Sequence, residues 1–77
     1  MTDIASVLLP VIAENLVRLR RACDDLSQPA LAARAGVSVD VVRRLEQRRG
    51  GASLVTLEHL ARAMGAHPLD LFRKVKK

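Results

Sequence analysis

Aromatic side chains are almost absent from this chain. It has one phenylalanine, Phe72, and neither tryptophan nor tyrosine. That argues against a sheet and against a surface that stacks unpaired bases. Cysteine is as scarce: Cys23 stands alone. An internal disulfide and a cysteine zinc cluster are excluded, and a reducing, cytoplasmic setting is expected. Long apolar runs are missing too. The stretch Val7–Ala13 is far too short to cross a bilayer, and Pro10 interrupts it. No lysine or arginine precedes Arg18, so the basic start of a secretory leader is not expected. His59 and His67 lack a dense cluster of other ligands, so neither a metal nor a cofactor is expected. No nucleophile–base pair or carboxylate pair stands out, which leaves an enzyme poorly supported.

What remains is helical and basic. Seventy-seven residues make one domain with a small core. Apolar residues are 49% of the chain, mostly leucine, valine and alanine, which is too many for disorder and favours helices. Thirteen lysines and arginines against eight acids leave a net charge of +5. This suits an anionic partner without proving one.

Residues 1–10 read as an N-terminal extension with a frayed start at Met1–Ser6. From Val11 the apolar positions Val11, Ile12, Leu16, Leu19 and Cys23 make one helical face, with Pro10 suited to the first turn. Asp24 and Asp25 mark a turn. Ser27 caps a second helix, with Pro29 in its harmless first turn and Leu31, Ala32 and Ala35 facing inward. Gly36 can take a left-handed conformation and end it. Ser38 caps a third helix, where Asp40 adds a favourable first-turn charge. Val42 and Leu45 face inward, and Val39, Asp40, Arg43, Arg44 and Gln47 lie mostly on the other side. Arg48, Arg49, Gly50 and Gly51 form a basic loop. Ser53, preferred to Thr56, caps a fourth helix carrying Leu54, Leu57, Leu60, Ala61 and Met64, closed by Gly65. Pro68 starts a fifth, with Leu69, Leu71 and Phe72 as packing residues. Residues 11–72 form the domain, and residues 73–77 are a basic tail.

The segment LSQPALAARAGVSVDVVRRLEQ (Leu26–Gln47) is thus two short capped helices around a glycine turn. Such a unit can lay one helix across a DNA backbone and push the next into a major groove. Followed by SLVTLEHLARAMGAHPLDLF, it resembles the lambda-repressor-like, Cro/CI-type helix-turn-helix family, also called the XRE family, over roughly Asn15 to Phe72. The resemblance rests on Leu26-Ser27-Gln28, Leu31-Ala32, Ala35-Gly36-Val37-Ser38, Leu45-Glu46, Ser53-Leu54 and Thr56-Leu57, extended by Leu60-Ala61, Ala63, Gly65 and Leu71-Phe72.

The resemblance implies an all-α, compact five-helix domain that binds double-stranded DNA, usually as a homodimer on a palindromic site. By position, Val39, Asp40 and Arg44 match residues that face base edges. Gln28 matches a residue that touches the DNA backbone, and Arg43 is placed to reach phosphate. Glu46 matches an acid that pairs with an arginine of the first helix, here Arg20 or Arg21. Three departures stand out. The turn Cys23–Gln28 is one residue longer than the common form. Val39-Asp40 opens the third helix where polar or basic residues are usual, and Pro29 replaces a commoner polar residue. Valine can meet a thymine methyl, and aspartate can accept from cytosine N4.

From the residues themselves, Arg43, Arg44, Arg48 and Arg49 can neutralise phosphates, and Arg44 can also read a guanine edge. Ser53 can hold a phosphate or simply cap its helix. Ile4–Leu16 is more apolar than its helix needs. Either it covers the core, or it joins Leu69, Leu71, Phe72 and Val75 in a dimer contact. Two functions follow. One is a sequence-specific transcriptional regulator, a dimeric repressor or controller. The other is a protein-interaction module, such as an antitoxin that binds a toxin with DNA contact secondary.

Overall fold

Local capping signals decide most of the element ends. The computed structural model describes residues 4–74, with side chains described from Val7 onward. Among the described residues four α-helices precede one short 3-10 turn. They are α1 (Ile4–Ala22), α2 (Gln28–Ala35), α3 (Val39–Glu46) and α4 (Leu54–Ala63), with the turn at Pro68–Leu71. The Cα radius of gyration is 11.5 Å, which matches the roughly 11.5 Å expected of a compact chain of this length.

Helices α2 and α4 end on glycine in the same way. Gly36 has φ +73° and Gly65 φ +69°, a region that costs other residues steric strain. At Gly36 the amide donates to Ala33 O at 3.3 Å, and the next amide, of Val37, donates to Ala32 O at 3.0 Å. At Gly65 the matching bonds run to Arg62 O and Ala61 O. These closures satisfy carbonyls that a helix end leaves orphaned. The turn after α1 runs through two successive left-handed aspartates, Asp24 (φ 53°) and Asp25 (φ 50°). Aspartate tolerates this conformation better than most residues. The turn then closes through the Leu26 amide onto the Arg20 and Cys23 carbonyls, both at 3.1 Å, and Leu26 is buried.

The core gathers where the helices cross. Leu16, Leu31, Val42, Leu45, Leu60 and Leu71 are almost completely buried. Helix α2 packs on α3 and α4, α1 packs on α3, and the 3-10 turn is held by α1 and α4. Among the described residues one buried side chain is polar. Asn15 is 1% exposed, and its amide donates to Leu71 O and Arg73 O, both at 2.8 Å. The final segment is thereby fastened to α1.

Several expectations are corrected. Helix α1 begins at Ile4, not Val11, and carries Pro10 inside it. Proline removes one rung of the helical ladder, but Leu8 and Leu9 on its N-terminal side pack against the core and hold the helix through it. The expected fifth helix is a four-residue 3-10 turn. Within it, His67 Nδ1 accepts from the Leu69 amide, and Asp70 Oδ2 accepts from the His67 amide. Leu71 is buried there and Phe72 half-buried, but Leu69 is 61% exposed. Leu54, placed in the inward pattern of α4, is 75% exposed. It opens the helix ahead of the crossing with α2, where Leu57 and Leu60 are buried. Residues 1–3 of the frayed start and 75–77 of the basic tail lie outside the described residues, as does Val75.

Candidate nucleic-acid interface

Three helix starts carry serine caps. Ser27 Oγ accepts from the Ala30 amide at 3.1 Å, and Ser38 Oγ from the Val41 amide at 3.4 Å. Ser53 Oγ accepts from the Thr56 amide at 3.1 Å and donates to Thr56 Oγ1 at 3.0 Å. Each cap satisfies an orphan donor and fixes where its helix begins. All three serines are exposed.

Glu46, at the end of α3, is bonded to both neighbouring helices. Arg20 of α1 donates to both of its oxygens, from Nε at 2.8 Å and from Nη2 at 3.0 Å. Gln28, the first residue of α2, donates to Glu46 Oε1 at 2.9 Å. The remaining Nη1 of Arg20 donates to Leu26 O at 2.7 Å. One carboxylate thus joins α1, α2 and α3. The side chains of Arg20 and Glu46 are only 12% and 6% exposed, so the pair is largely shielded from solvent screening. Arg20, not Arg21, is the partner. Its pKa is raised above the ordinary arginine value, first by the hydrogen bond to Glu46 and further by the charges of Glu46 and Asp25, against the opposing effect of burial. A raised value means that Arg20's contribution is complete below the unfolded value. It is lost only as pH climbs past the folded one, so the arginine stays charged across the neutral range.

On the outer face of α3, Asp40 and Arg43 are exposed and Arg44 is half-exposed. Val39 is half-buried and packs against the core, so only part of it is open to solvent. Arg44 Nε lies 3.2 Å from Asp40 Oδ2, one helical turn back. The distance makes an ion pair, but the geometry falls short of a hydrogen bond, and Nε has no hydrogen-bond partner. Past α3 the chain closes as α2 and α4 do. The Arg48 amide donates to Leu45 O at 3.1 Å, and the Arg49 amide to Arg44 O at 2.9 Å. Here the left-handed residue is Arg48, at φ 60°. Its side chain borders an open depression of about 350 Å³ that also involves Glu14, Arg18 and Arg21 of α1. Arg49 is exposed.

The structure therefore brings Asp40, Arg43 and Arg44 together on α3, with Gln28 tied to its far end through Glu46. Arg48 turns toward α1. Three features escaped the sequence reading: the Gln28–Glu46 bond, the strained backbone at Arg48, and Asn15. Asn15 alone left a signal. It stands three residues after Ile12 and four before Leu19, on the apolar stripe of α1. Among the described residues no three of His, Cys, Asp and Glu come together to hold a metal ion. No described helix is long and apolar enough to cross a membrane.

The comparisons agree with this geometry. A family model described as a helix-turn-helix domain matches residues 12–74. No curated protein is significantly similar to the chain. Among solved structures, a hypothetical transcription factor, NHTF, from Neisseria is similar at a TM-score of 0.83 and 27% identity, covering 96% of this chain and 83% of that one. The restriction-modification controller protein C.AhdI from Aeromonas hydrophila is 34% identical at a TM-score of 0.77, covering 83% of this chain and 96% of that one. An HTH_3 family transcriptional regulator from Vibrio cholerae has a TM-score of 0.81 at 26% identity over 88% of this chain, which spans only 38% of that protein.

Proposed function

The chain belongs to the helix-turn-helix domain family of XRE, Cro/CI-type DNA-binding regulators, and from that premise we propose that it acts as a homodimer on a palindromic operator, as a repressor or controller of transcription. The observation that carries this reading is the Glu46 junction. It holds α3 rigidly against α1 and α2 while leaving Asp40, Arg43 and Arg44 outward. In this arrangement α3 enters the major groove, Arg44 reads a base edge, and the methyls of Val39 that remain open meet a neighbouring base. Gln28 uses its second amide N–H on the backbone. Arg43, Arg48, Arg49 and Ser53 contact phosphates, which position the helix without reading sequence. Similarity to a restriction-modification controller over nearly all of that protein supports the controller reading. A DNA target and a lone, unpaired cysteine fit the cytoplasm.

The dimer contact is assigned to the apolar end of the molecule. Leu8, Leu9, Leu54 and Phe72 line a hollow of about 270 Å³ there, and Val7 and Leu54 are exposed. Leu71 takes no part, because it is fully buried. The same apolar surface favours the second reading, an antitoxin-like module that binds a protein partner and touches DNA secondarily. Selection of bound duplexes from a random pool separates the two. An enriched palindrome supports the dimeric regulator. Failure to enrich any sequence at low salt moves the weight to the protein-binding module.

A further inference from the structure

We propose that Asp40 is a positioning residue for Arg44: it holds the guanidinium by its Nε edge, so that the terminal nitrogens face one guanine and Asp40 sets the base preference without touching a base itself. The inference rests on the reading of α3 as the groove-entering helix. Its basis is the 3.2 Å approach of Asp40 Oδ2 to Arg44 Nε across one turn of α3. Nε is shielded from solvent and has no hydrogen-bond partner, so the carboxylate of Asp40 is the group nearest to hand for it. On the other side, the guanidinium lies along the α3–α4 loop: a Cβ at Gly50 would stand 3.8 Å from Arg44 Nη1. The fork is thus flanked by a carboxylate and by the loop backbone.

Guanidinium geometry turns this placement into a preference. Arginine reads guanine by two parallel N–H bonds to O6 and N7. The fork has two such edges, one containing Nε and one formed by the terminal nitrogens. With Asp40 on the first, the second is the one left for a base. Holding the side chain in advance also reduces the rotamer freedom lost on binding. The pair is exposed, at 42% for Arg44 and 61% for Asp40, so it is weak in free solution. It strengthens when DNA excludes water from around it. The same pairing explains how an acid is tolerated on a helix that approaches phosphates, because Arg44 offsets its charge.

The test compares base preferences for the wild-type chain, Asp40→Asn, Asp40→Glu, Arg44→Ala and the Asp40→Asn/Arg44→Ala double variant. Each is measured by duplex selection and by affinity for single-base variants of the wild-type site, with folding checked by circular dichroism. Arg44→Ala and Asp40→Asn are expected to relax the same base pair, the latter by about tenfold, within the worth of one bidentate contact. Affinity of Asp40→Asn for unrelated duplexes stays level or rises, since a negative charge is removed. The double variant discriminates no worse than Arg44→Ala alone. Asp40→Glu retains the preference, because glutamate also reaches an arginine four residues on. Relaxation at a different base pair in Asp40→Asn would mean that Asp40 reads a base directly and would overturn the proposal. So would an unchanged preference at the Arg44 position. A wild-type chain that enriches no sequence would instead defeat the underlying DNA-binding reading.

Discussion

At the scale of single residues, Arg48 carries the clearest trade between stability and charge. The closures after α2 and α4 place glycine in the left-handed position, whereas the closure after α3 places arginine there with the same pair of hydrogen bonds. A non-glycine residue in that region costs on the order of 1 kcal/mol. Arg48→Gly is therefore expected to raise stability by up to about 1 kcal/mol in urea unfolding. If Arg48 meets phosphate as proposed, the same change weakens duplex binding and lowers the salt slope by about 0.9. A stabilised variant with unaltered binding would remove Arg48 from the interface. Asn15 shows the opposite case, a polar side chain that the fold requires. Asn15→Leu leaves the carbonyls of Leu71 and Arg73 without their donor and should cost about 2 kcal/mol by denaturant titration. Spacing along the α1 stripe carried the signal of an inward Asn15, which the reading of apolar positions passed over. Its partners lie 56 and 58 residues away, and no local pattern reveals such a pairing. Leu54 and Leu69 mark a further limit. Periodicity assigns a leucine to a face, but only neighbouring helices decide whether that face is covered.

At the scale of elements, the junction at Glu46 outranks any single helix. Glu46→Ala takes the carboxylate from the Arg20 guanidinium, which keeps only its bond to Leu26 O, and from the Gln28 amide, in a largely buried setting. A loss of about 3 kcal/mol is expected in thermal or urea unfolding, a large share of the stability of a domain this small. Duplex affinity should fall with it, because α3 loses its fixed angle to α2. A variant that kept wild-type stability would show that apolar packing alone holds the helices. The element ends set by local chemistry were legible in the sequence: Ser27, Ser38 and Ser53 as caps, and Gly36 and Gly65 as stops. The ends set by packing were not. Pro10 reads locally as a helix start, yet Leu8 and Leu9 draw the preceding turn onto the core. Pro68 reads as the start of a helix, yet the His67–Asp70 cap and the buried Leu71 hold only one tight turn. On the outer face of α3, the sequence placed Asp40, Arg43 and Arg44 outward, but the Asp40–Arg44 contact and the half-burial of Val39 depend on side-chain packing.

At the scale of the whole molecule, net charge governs the sequence-independent part of DNA binding. A net charge of +5 attracts any duplex, so sequence-independent affinity must fall steeply with salt. Arg49→Ala should weaken all duplexes alike and reduce the salt slope by about 0.9 per protomer, as the loss of one phosphate contact requires. An undiminished slope would place Arg49 away from the phosphates. Specific recognition has a different signature. The most direct measurement is the affinity of the wild-type chain for its selected palindrome, divided by its affinity for a scrambled duplex of equal length at physiological salt. A regulator that reads bases through α3 should give a ratio of about 1,000 or more. A ratio near one would contradict the account, leaving the basic charge as the whole of its DNA binding.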